Sequence, residues 1–252
     1  MSEPPFLSIV VPAYNESRRL PGTLDSMRVF CREFTRTVEV LIVVERSSDG
    51  TLEIAGEAAR QQQNFLVIDS GPQRGKGHAV RTGMLRAQGA HIFYMDADLS
   101  VPLAEVPAFL AHFSEHPEVD VLLGNRQHAR SRIVRRQSAL RESMGKGFNR
   151  MLQSLGLAAL HDTQCGFKAF RRPAAQAIFA LQKLDGFAFD VEVLLLAQRL
   201  GCKIADLPVE WRNSADSHVR LVRDSFAMLR DMLRVRRLVD ATLRERNRHA
   251  EV

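Results

Sequence analysis

Short apolar runs alternate with longer amphipathic stretches along the first half of the chain. The apolar runs are rich in β-branched residues, which is typical of buried strands, and they cover residues 7–11, 38–44, 65–69 and 91–95. The stretches between them have the apolar spacing of helices, which we predict over residues 16–34, 51–63 and 75–88. Strands that alternate with helices in this way form βαβ units. The pattern therefore predicts an α/β domain with a mostly parallel central sheet flanked by helices.

The alternation continues less regularly in the second half. We predict helices over residues 103–115, 141–155, 173–182 and 190–200, and strands over residues 119–123, 164–171 and 203–211. From Leu221 to Arg246 the apolar residues recur at every third or fourth position, which predicts a C-terminal amphipathic helix. The chain shows no internal repeat or low-complexity linker. We expect one domain over residues 1–216, followed by this helix and a tail over residues 217–252.

The composition is that of an ordinary globular protein. Hydrophobic residues make up 45% of the 252 positions and charged residues 25%, which excludes disordered, collagen-like and coiled-coil chains. Every 18-residue window holds a charge, and the N-terminus carries an acid where a signal peptide carries basic residues, so we expect neither a spanning helix nor a signal peptide. Cys31, Cys165 and Cys202 are widely spaced and form no metal or redox motif. These features favour a cytoplasmic protein with reduced thiols.

Positive charge is concentrated in the second half. Residues 1–125 carry a net charge of −5 and residues 126–252 a net charge of +11, for a total of +6. Residues 126–150 alone hold eight basic residues and one acid. Nucleic acid, anionic lipid or a phosphorylated substrate would suit such a surface. Nucleic acid is the least favoured, since the basic stretches hold few aromatic residues.

Polar residues follow the predicted strands at their carboxyl ends, where open α/β sheets bind ligands. Asp96 and Asp98 come directly after the apolar strand over residues 91–95, and two carboxylates at this spacing can share a divalent cation that also bridges a diphosphate. The alternative is a surface turn that holds two acids by chance. The position of the pair after a fully apolar strand favours a metal site.

The segment over residues 73–77 is rich in glycine but matches neither phosphate-binding motif. It lacks the spacing and the terminal Ser or Thr of a P-loop, and the third glycine of a dinucleotide fingerprint. Lys76, flanked by glycines at the start of a helix, can still contact an anion through its side chain and through free backbone amides. The alternative is a simple helix-start turn.

Eight segments in fixed order carry a resemblance to a known family. They are SIVVPAYNE, SSDGT, RGKGHAVRTGMLRA, YMDADLS, LLGNR, DTQCGFKAF, FAFDVEVLLLA and LPVEW, within residues 6–235. Together they resemble the family 2 glycosyltransferases of the GT-A fold, and among these the group of dolichyl-phosphate β-glucosyltransferases and other polyprenyl-phosphate glycosyltransferases. The resemblance implies an enzyme that transfers a sugar from a nucleotide diphosphate with inversion, using Mg²⁺ or Mn²⁺.

The resemblance also implies roles for individual residues. The nucleotide sugar would be bound by Pro12, Ala13, Tyr14, Glu16, Glu45, Lys76 and Asp96. The cation would be held by Asp96 and Asp98. The catalytic residues around the sugar and the acceptor would be Asp98, Asp162, Gln164 and Asp190. The acceptor phosphate would face Arg126, Arg136 and Arg141.

The sequence departs from the family pattern at three places. Where relatives usually have two acids and Gly-Ser, this chain has Glu45, Arg46 and Ser47, so Glu45 replaces an acid with a longer reach and Arg46 adds an unusual cation. Ser100 stands where many relatives have Gln, so water would complete the metal shell. Residues 217–218 are Ser-His where relatives often carry Ser-Lys.

The basic run after Arg126 favours a phosphate acceptor. A phosphate monoester is already anionic and needs only positioning by cations, whereas a sugar hydroxyl needs a general base. We therefore expect transfer of glucose from UDP-glucose to a polyprenyl phosphate. Two alternatives stay open: the same fold with a soluble or cell-surface glycan acceptor, and a sugar-nucleotide-binding protein without catalysis.

The predicted C-terminal helix has an apolar face flanked by arginines. Such a helix can lie in a bilayer interface with its guanidinium groups at the lipid phosphates, which predicts peripheral contact with the cytosolic membrane face. The alternative is that this face packs on its own domain or on a second subunit.

Overall fold

The computed structural model describes residues 4–135, 162–212 and 221–250. The strands within these residues are β1 (Leu7–Ala13), β2 (Val38–Val44), β3 (Phe65–Asp69), β4 (His91–Met95), β5 (Val121–Asn125), β6 (Arg132–Arg135), β7 (Phe167–Arg171), β8 (Ile204–Pro208) and β9 (Glu210–Arg212). The α-helices are α1 (Leu20–Glu33), α2 (Thr51–Gln61), α3 (Lys76–Arg86), α4 (Val106–Glu115), α5 (Arg172–Leu181), α6 (Phe189–Arg199) and α7 (Leu221–Ala250). The predicted helix over residues 141–155 lies outside the described residues.

Seven strands form the central sheet in the order β3-β2-β1-β4-β7-β5-β8. The strands β1 to β4 run parallel, and β8 runs parallel to β5. The strand β7 lies between β4 and β5 and is antiparallel to both. The prediction of an α/β domain with a mostly parallel sheet is confirmed.

The last strand segment differs from the prediction. The chain leaves the sheet after Pro208, which has no N–H to continue the ladder, so the expected single strand over residues 203–211 is wrong. Residues 210–212 form β9 instead, which pairs with β6 in a separate two-stranded ribbon. In this ribbon Trp211 lies opposite Ile133, and the register shifts between Ile133 and Arg135.

Apolar side chains fill both faces of the central sheet. Along β1, Val10 faces the cluster shared with α3, α5, α6 and α7, whereas Ile9 and Val11 face the cluster shared with α1, α2 and α4. This alternation follows from the two-residue period of a strand. Burial on both faces explains the near-continuous apolar runs of the inner strands.

The helix α7 packs on its own domain over the part whose side chains are described. Met232, Val235 and Val239 are buried in the cluster that also contains α3, α5 and α6, while Leu233 on another face is 70% exposed. Over residues 230–248 the expectation that the apolar face enters a bilayer is therefore wrong, because protein already covers that face. None of the described helices is both long and apolar enough to cross a membrane.

Candidate active site

The segment after β1 is fastened to the turn after β2. Asn15 adopts a φ of 54°, and its backbone N–H donates to Oγ of Ser47 (3.1 Å) while its Oδ1 accepts from the N–H of Ser48 (2.9 Å). The N–H of Glu16 donates to Oγ1 of Thr51 (2.8 Å). These bonds hold Glu16 in place, and the other predicted nucleotide-binding residues of this strand end, which are Pro12, Ala13 and Tyr14, directly precede them in the chain.

The two candidate metal ligands lie in a tight turn after β4. The N–H of Leu99, whose φ is 47°, donates to the Asp96 carbonyl (3.1 Å), and the N–H of Ser100 donates to Oδ1 of Asp98 (2.9 Å). Thr23 of α1 donates to the Ala97 carbonyl at the centre of the turn. The turn is thus held rigidly, with both carboxylates half-buried at the carboxyl end of the sheet.

The Asp96 carboxylate is confined by two neighbours. Nζ of Lys76 lies 2.6 Å from its Oδ1, and Gly166 lies so close that an added Cβ would overlap the carboxylate. Burial would lower the pKa of Lys76, but the charges of Asp96, Asp190 and Asp98 outweigh it and raise that pKa. Lys76 therefore stays cationic beside the acidic turn.

The donor set at this turn suits a hard divalent cation. In the part of the chain that the structure describes, no three His, Cys, Asp or Glu side chains are placed to share a metal ion. Mg²⁺ in substrate sites commonly takes one or two carboxylates and completes its shell with phosphate oxygens and water. Asp96 and Asp98 fit that arrangement.

The loop before α3 is bound by a protein carboxylate. Glu45, which is 2% exposed, accepts bonds at Oε1 from the N–H groups of Arg74 (2.9 Å) and Gly75 (2.8 Å). The expectation that free amides there would meet an anion is thus wrong for these two groups. Two cationic side chains remain there: Arg74 pairs with Asp185, and Lys76 pairs with Asp96 of the acidic turn.

Asp190 at the start of α6 lies in a buried polar cluster that sequence reasoning missed. Its Oδ1 accepts from Nζ of Lys168 (2.5 Å) and from the hydroxyl of Tyr94 (2.5 Å). Nζ of Lys168, which is fully buried, also donates to the carbonyl of Cys165 (2.7 Å). An isolated lysine within the apolar strand Phe167–Arg171 was the available signal, since a buried cation requires a partner.

Arg126 and Asp162, both predicted site residues, bind each other. Nε of Arg126 lies 2.7 Å from Oδ2 of Asp162 and Nη2 lies 2.7 Å from Oδ1. Burial would raise the pKa of Asp162, but the hydrogen bonds and charge of Arg126 hold it below its usual range. The guanidinium also lies 5.6 Å from the Trp211 ring centroid. The predicted acceptor-phosphate residues Arg136 and Arg141 lie outside the described residues.

The segment that follows Asp162 carries two more residues of interest. Gln164 is half-buried, and Cys165 is 1% exposed with a pKa that burial raises to about 12. A thiol with such a pKa is inert as a nucleophile at neutral pH, which agrees with a packing role for Cys165.

The family assignment rests on a match over most of the chain. Residues 8–179 match the family model described as glycosyl transferase family 2. The chain belongs to glycosyl transferase family 2. Membership confirms the resemblance carried by the eight sequence segments.

Individual relatives agree with this assignment. The chain is similar to the dolichyl-phosphate β-glucosyltransferase of Dictyostelium discoideum, with 33% identity over 92% of this chain and 74% of the relative. The enzyme of the same name from Saccharomyces cerevisiae is 32% identical over 92% of this chain and 74% of its own length. Among solved structures, glucosyl-3-phosphoglycerate synthase of Mycobacterium tuberculosis matches with a TM-score of 0.69 at 20% identity, covering 92% of this chain and 80% of that one. The likeness confirms the GT-A fold.

Proposed function

We propose that the chain transfers glucose from UDP-glucose to a polyprenyl phosphate of the dolichyl type, with inversion at the anomeric carbon. One observation carries the proposal: a relative named dolichyl-phosphate β-glucosyltransferase is 33% identical over 92% of the chain. The ordered segments from the end of β1 to α6 support a single active site of that kind.

Asp96 and Asp98 would hold Mg²⁺ or Mn²⁺ on the donor side. A cation held there would neutralise the charge that develops on the leaving diphosphate. The M. tuberculosis synthase of the same fold has been crystallised with Mn²⁺, UDP and phosphoglyceric acid. The ammonium of Lys76, 2.6 Å from Asp96, supplies a fixed positive charge beside the same turn.

The transfer itself is a displacement at the anomeric carbon. An oxygen of the lipid phosphate forms the new C–O bond as the bond to the diphosphate breaks, and the electron pair leaves with the diphosphate. The acceptor oxygen is already anionic, so no proton has to be removed and the protein needs only to place it. The basic residues over 126–150 would supply cations for this task, and Arg126 among them is already paired with Asp162.

Asp162, Gln164 and Asp190 would surround the sugar and the acceptor. Both carboxylates are fixed by cations, with Arg126 on Asp162 and Lys168 on Asp190. Because both carboxylates are buried and already bonded, the ion pairs would hold the wall of the sugar pocket in place without reorganisation during the reaction. The specificity for the sugar would therefore depend on these two ion pairs.

The enzyme would work as a peripheral protein at the cytosolic face of a membrane. Its proposed acceptor is a lipid, so the active site has to reach a bilayer surface. Cys31, Cys165 and Cys202 are free thiols, which suits a reducing compartment.

The test is an acceptor panel with UDP-glucose and Mg²⁺. Polyprenyl phosphate should be glucosylated, whereas 3-phosphoglycerate and free sugars should not. Product formed only with 3-phosphoglycerate or a sugar would reject the lipid acceptor, and donor binding without any transfer or hydrolysis would favour the non-catalytic alternative.

A further inference from the structure

Glu45 lies beneath the loop that carries Lys76. Its side chain is almost fully buried, and one oxygen, Oε1, accepts the N–H groups of both Arg74 and Gly75. Nδ1 of His78 lies 3.4 Å from the same oxygen. A carboxylate is costly to bury unless hydrogen bonds satisfy it, so these contacts identify a structural use for this acid.

The contacts are made at the N-terminal end of α3, which begins at Lys76. Gly75 is the N-cap, and the backbone N–H groups at a helix start point away from the helix and carry partial positive charge, which a carboxylate stabilises. Glu45 therefore fixes the two residues that directly precede Lys76 and, through them, the start of the helix.

The opposite side of the loop is closed by the segment before α6. A Cβ on Gly75 would lie 2.5 Å from the Asp185 carbonyl oxygen, and a Cβ on Gly77 would lie 2.5 Å from the Leu184 carbonyl oxygen. The Arg74 guanidinium also binds Oδ2 of Asp185 at 2.7 and 2.9 Å. The loop is thus clamped between β2 and this segment.

The hydrogen bonds from the loop to Glu45 and the ion pair between Arg74 and Asp185 differ in strength. The Arg74 side chain is 57% exposed and that of Asp185 29% exposed, and ion pairs in such settings contribute little because water screens them. The bonds to Glu45 are charge-assisted and buried, so they are the stronger kind. Removal of Glu45 should therefore loosen the loop far more than removal of Asp185.

We propose that Glu45 is a positioning residue that acts on the donor through Lys76, rather than a residue that touches the nucleobase. The inference rests on the proposed function, in which Lys76 lies beside the donor nucleotide. The proposal also explains how this chain tolerates Arg46 where relatives have a second acid. Glu45 faces the loop before α3, so no neighbouring acid is needed beside it to contact the nucleobase.

Calorimetric titration of the full chain with UDP in Mg²⁺ tests the proposal. Glu45→Ala should weaken UDP binding by about tenfold, the loss expected when hydrogen bonds to a charged group are removed. Glu45→Gln keeps an acceptor oxygen and should stay within about threefold of the wild type. Glu45→Asp keeps the charge, but its shorter side chain no longer reaches the N–H groups of Arg74 and Gly75. This variant should therefore lose UDP affinity to the same extent as Glu45→Ala.

A double-mutant cycle with Lys76→Ala identifies the route of the effect. If Glu45 acts through Lys76, Glu45→Ala changes neither UDP nor uridine affinity in the Lys76→Ala background. A further loss of either affinity in that background would overturn the proposal and indicate direct contact with the nucleotide. Asp185→Asn is the matched control, because it removes the charge of the exposed ion pair between Asp185 and Arg74 on the same loop. It should change UDP affinity less than about twofold, since the energy of a surface ion pair is small.

The fold and the donor class are checked in the same experiment. If Glu45→Ala lowers the melting temperature too far for titration, the contrast between the Gln and Asp variants decides instead, and equal losses in both would reject the positioning role. A wild-type protein that binds no UDP would reject the proposed donor, whereas UDP binding with additive losses would reject only the role of Glu45.

Discussion

The ammonium group of Lys168 lies 2.5 Å from Oδ1 of Asp190, and both side chains are buried. Tyr94 donates to the same oxygen and also covers the lysine, whose Nζ lies 5.2 Å from the ring centroid. Burial, and then the Asp190 charge, raise the pKa of Tyr94 well above its usual range, so the phenol stays a donor. One lysine thus balances a carboxylate that belongs to the candidate active site.

Removal of that lysine should destabilise the protein strongly. Lys168→Met leaves Asp190 buried without its counter-charge, and we expect the free energy of unfolding to fall by about 3 kcal/mol in urea titrations. Adding Asp190→Asn should restore most of the loss, because the orphaned charge is then gone. A Lys168→Met protein as stable as the wild type would show that Asp190 does not depend on this pair.

The metal turn gives a prediction for activity. Asp98→Asn should lower the transfer rate by at least about a hundredfold and leave the melting temperature nearly unchanged, since an amide binds a hard cation poorly. Asp96→Asn should mainly weaken donor binding. The measurement is the rate against Mg²⁺ concentration, and near-normal turnover of Asp98→Asn without added metal would contradict the assignment.

Gly166 offers a steric test of the same turn. Gly166→Ala places a methyl group where the Asp96 carboxylate lies, so the carboxylate has to move. We expect a loss of activity of about tenfold and a loss of stability of about 1 kcal/mol. Gly186→Ala is the control, because a Cβ there meets open space. Equal activity of the two variants would mean that Asp96 has room to shift without consequence.

Acid should weaken the fold through His91. Burial, and then the charges of Arg171 and Arg36, lower the pKa of His91 from 6.5 to about 4, so the unfolded chain takes up the proton first. The contribution of His91 to stability is therefore full above pH 6.5 and lost progressively as the pH falls towards 4.

The variant His91→Phe separates this contribution from that of the carboxylates. It keeps the aromatic packing against Phe6 and Phe113 but cannot titrate. Urea unfolding at pH 7.5, 5.5 and 4.5 should give a smaller decline for this variant than for the wild type. Curves for His91→Phe that run parallel to those of the wild type would contradict the prediction.

The sequence predicts the inner strands best. The bounds of Val38–Val44, Phe65–Asp69 and His91–Met95 agree with the predicted strands, because strands in a covered parallel sheet are apolar nearly throughout. The strand Arg132–Arg135 was not predicted, since its RIVR sequence lies within a basic run and its partner among the described strands is the three-residue β9. Long-range pairing fixes such a strand, and local patterning does not reveal it.

The candidate site shows the same division. The acids at the ends of strands could be placed from the sequence, because parallel strands end at one edge. The partners of Glu45 and Asp190 could not be placed from the sequence, because they are distant along the chain. Arg74 and Gly75, which bind Glu45, follow it by 29 and 30 positions, and Lys168 precedes Asp190 by 22. The roles of Asp162, Gln164 and Asp190 in catalysis stay predictions.

The central sheet cannot be completed before the antiparallel strand β7 has been synthesised. The strands β4 and β5 do not pair with each other, and each is joined instead to β7, which follows both in the chain. Until residue 171 has been synthesised, β4 leaves an open edge with unpaired backbone groups, and such edges attract other chains. The nascent chain is therefore prone to aggregation until β7 has paired with β4 and β5. Pairing of β7 with β4 is slow, because the two strands are far apart in the sequence.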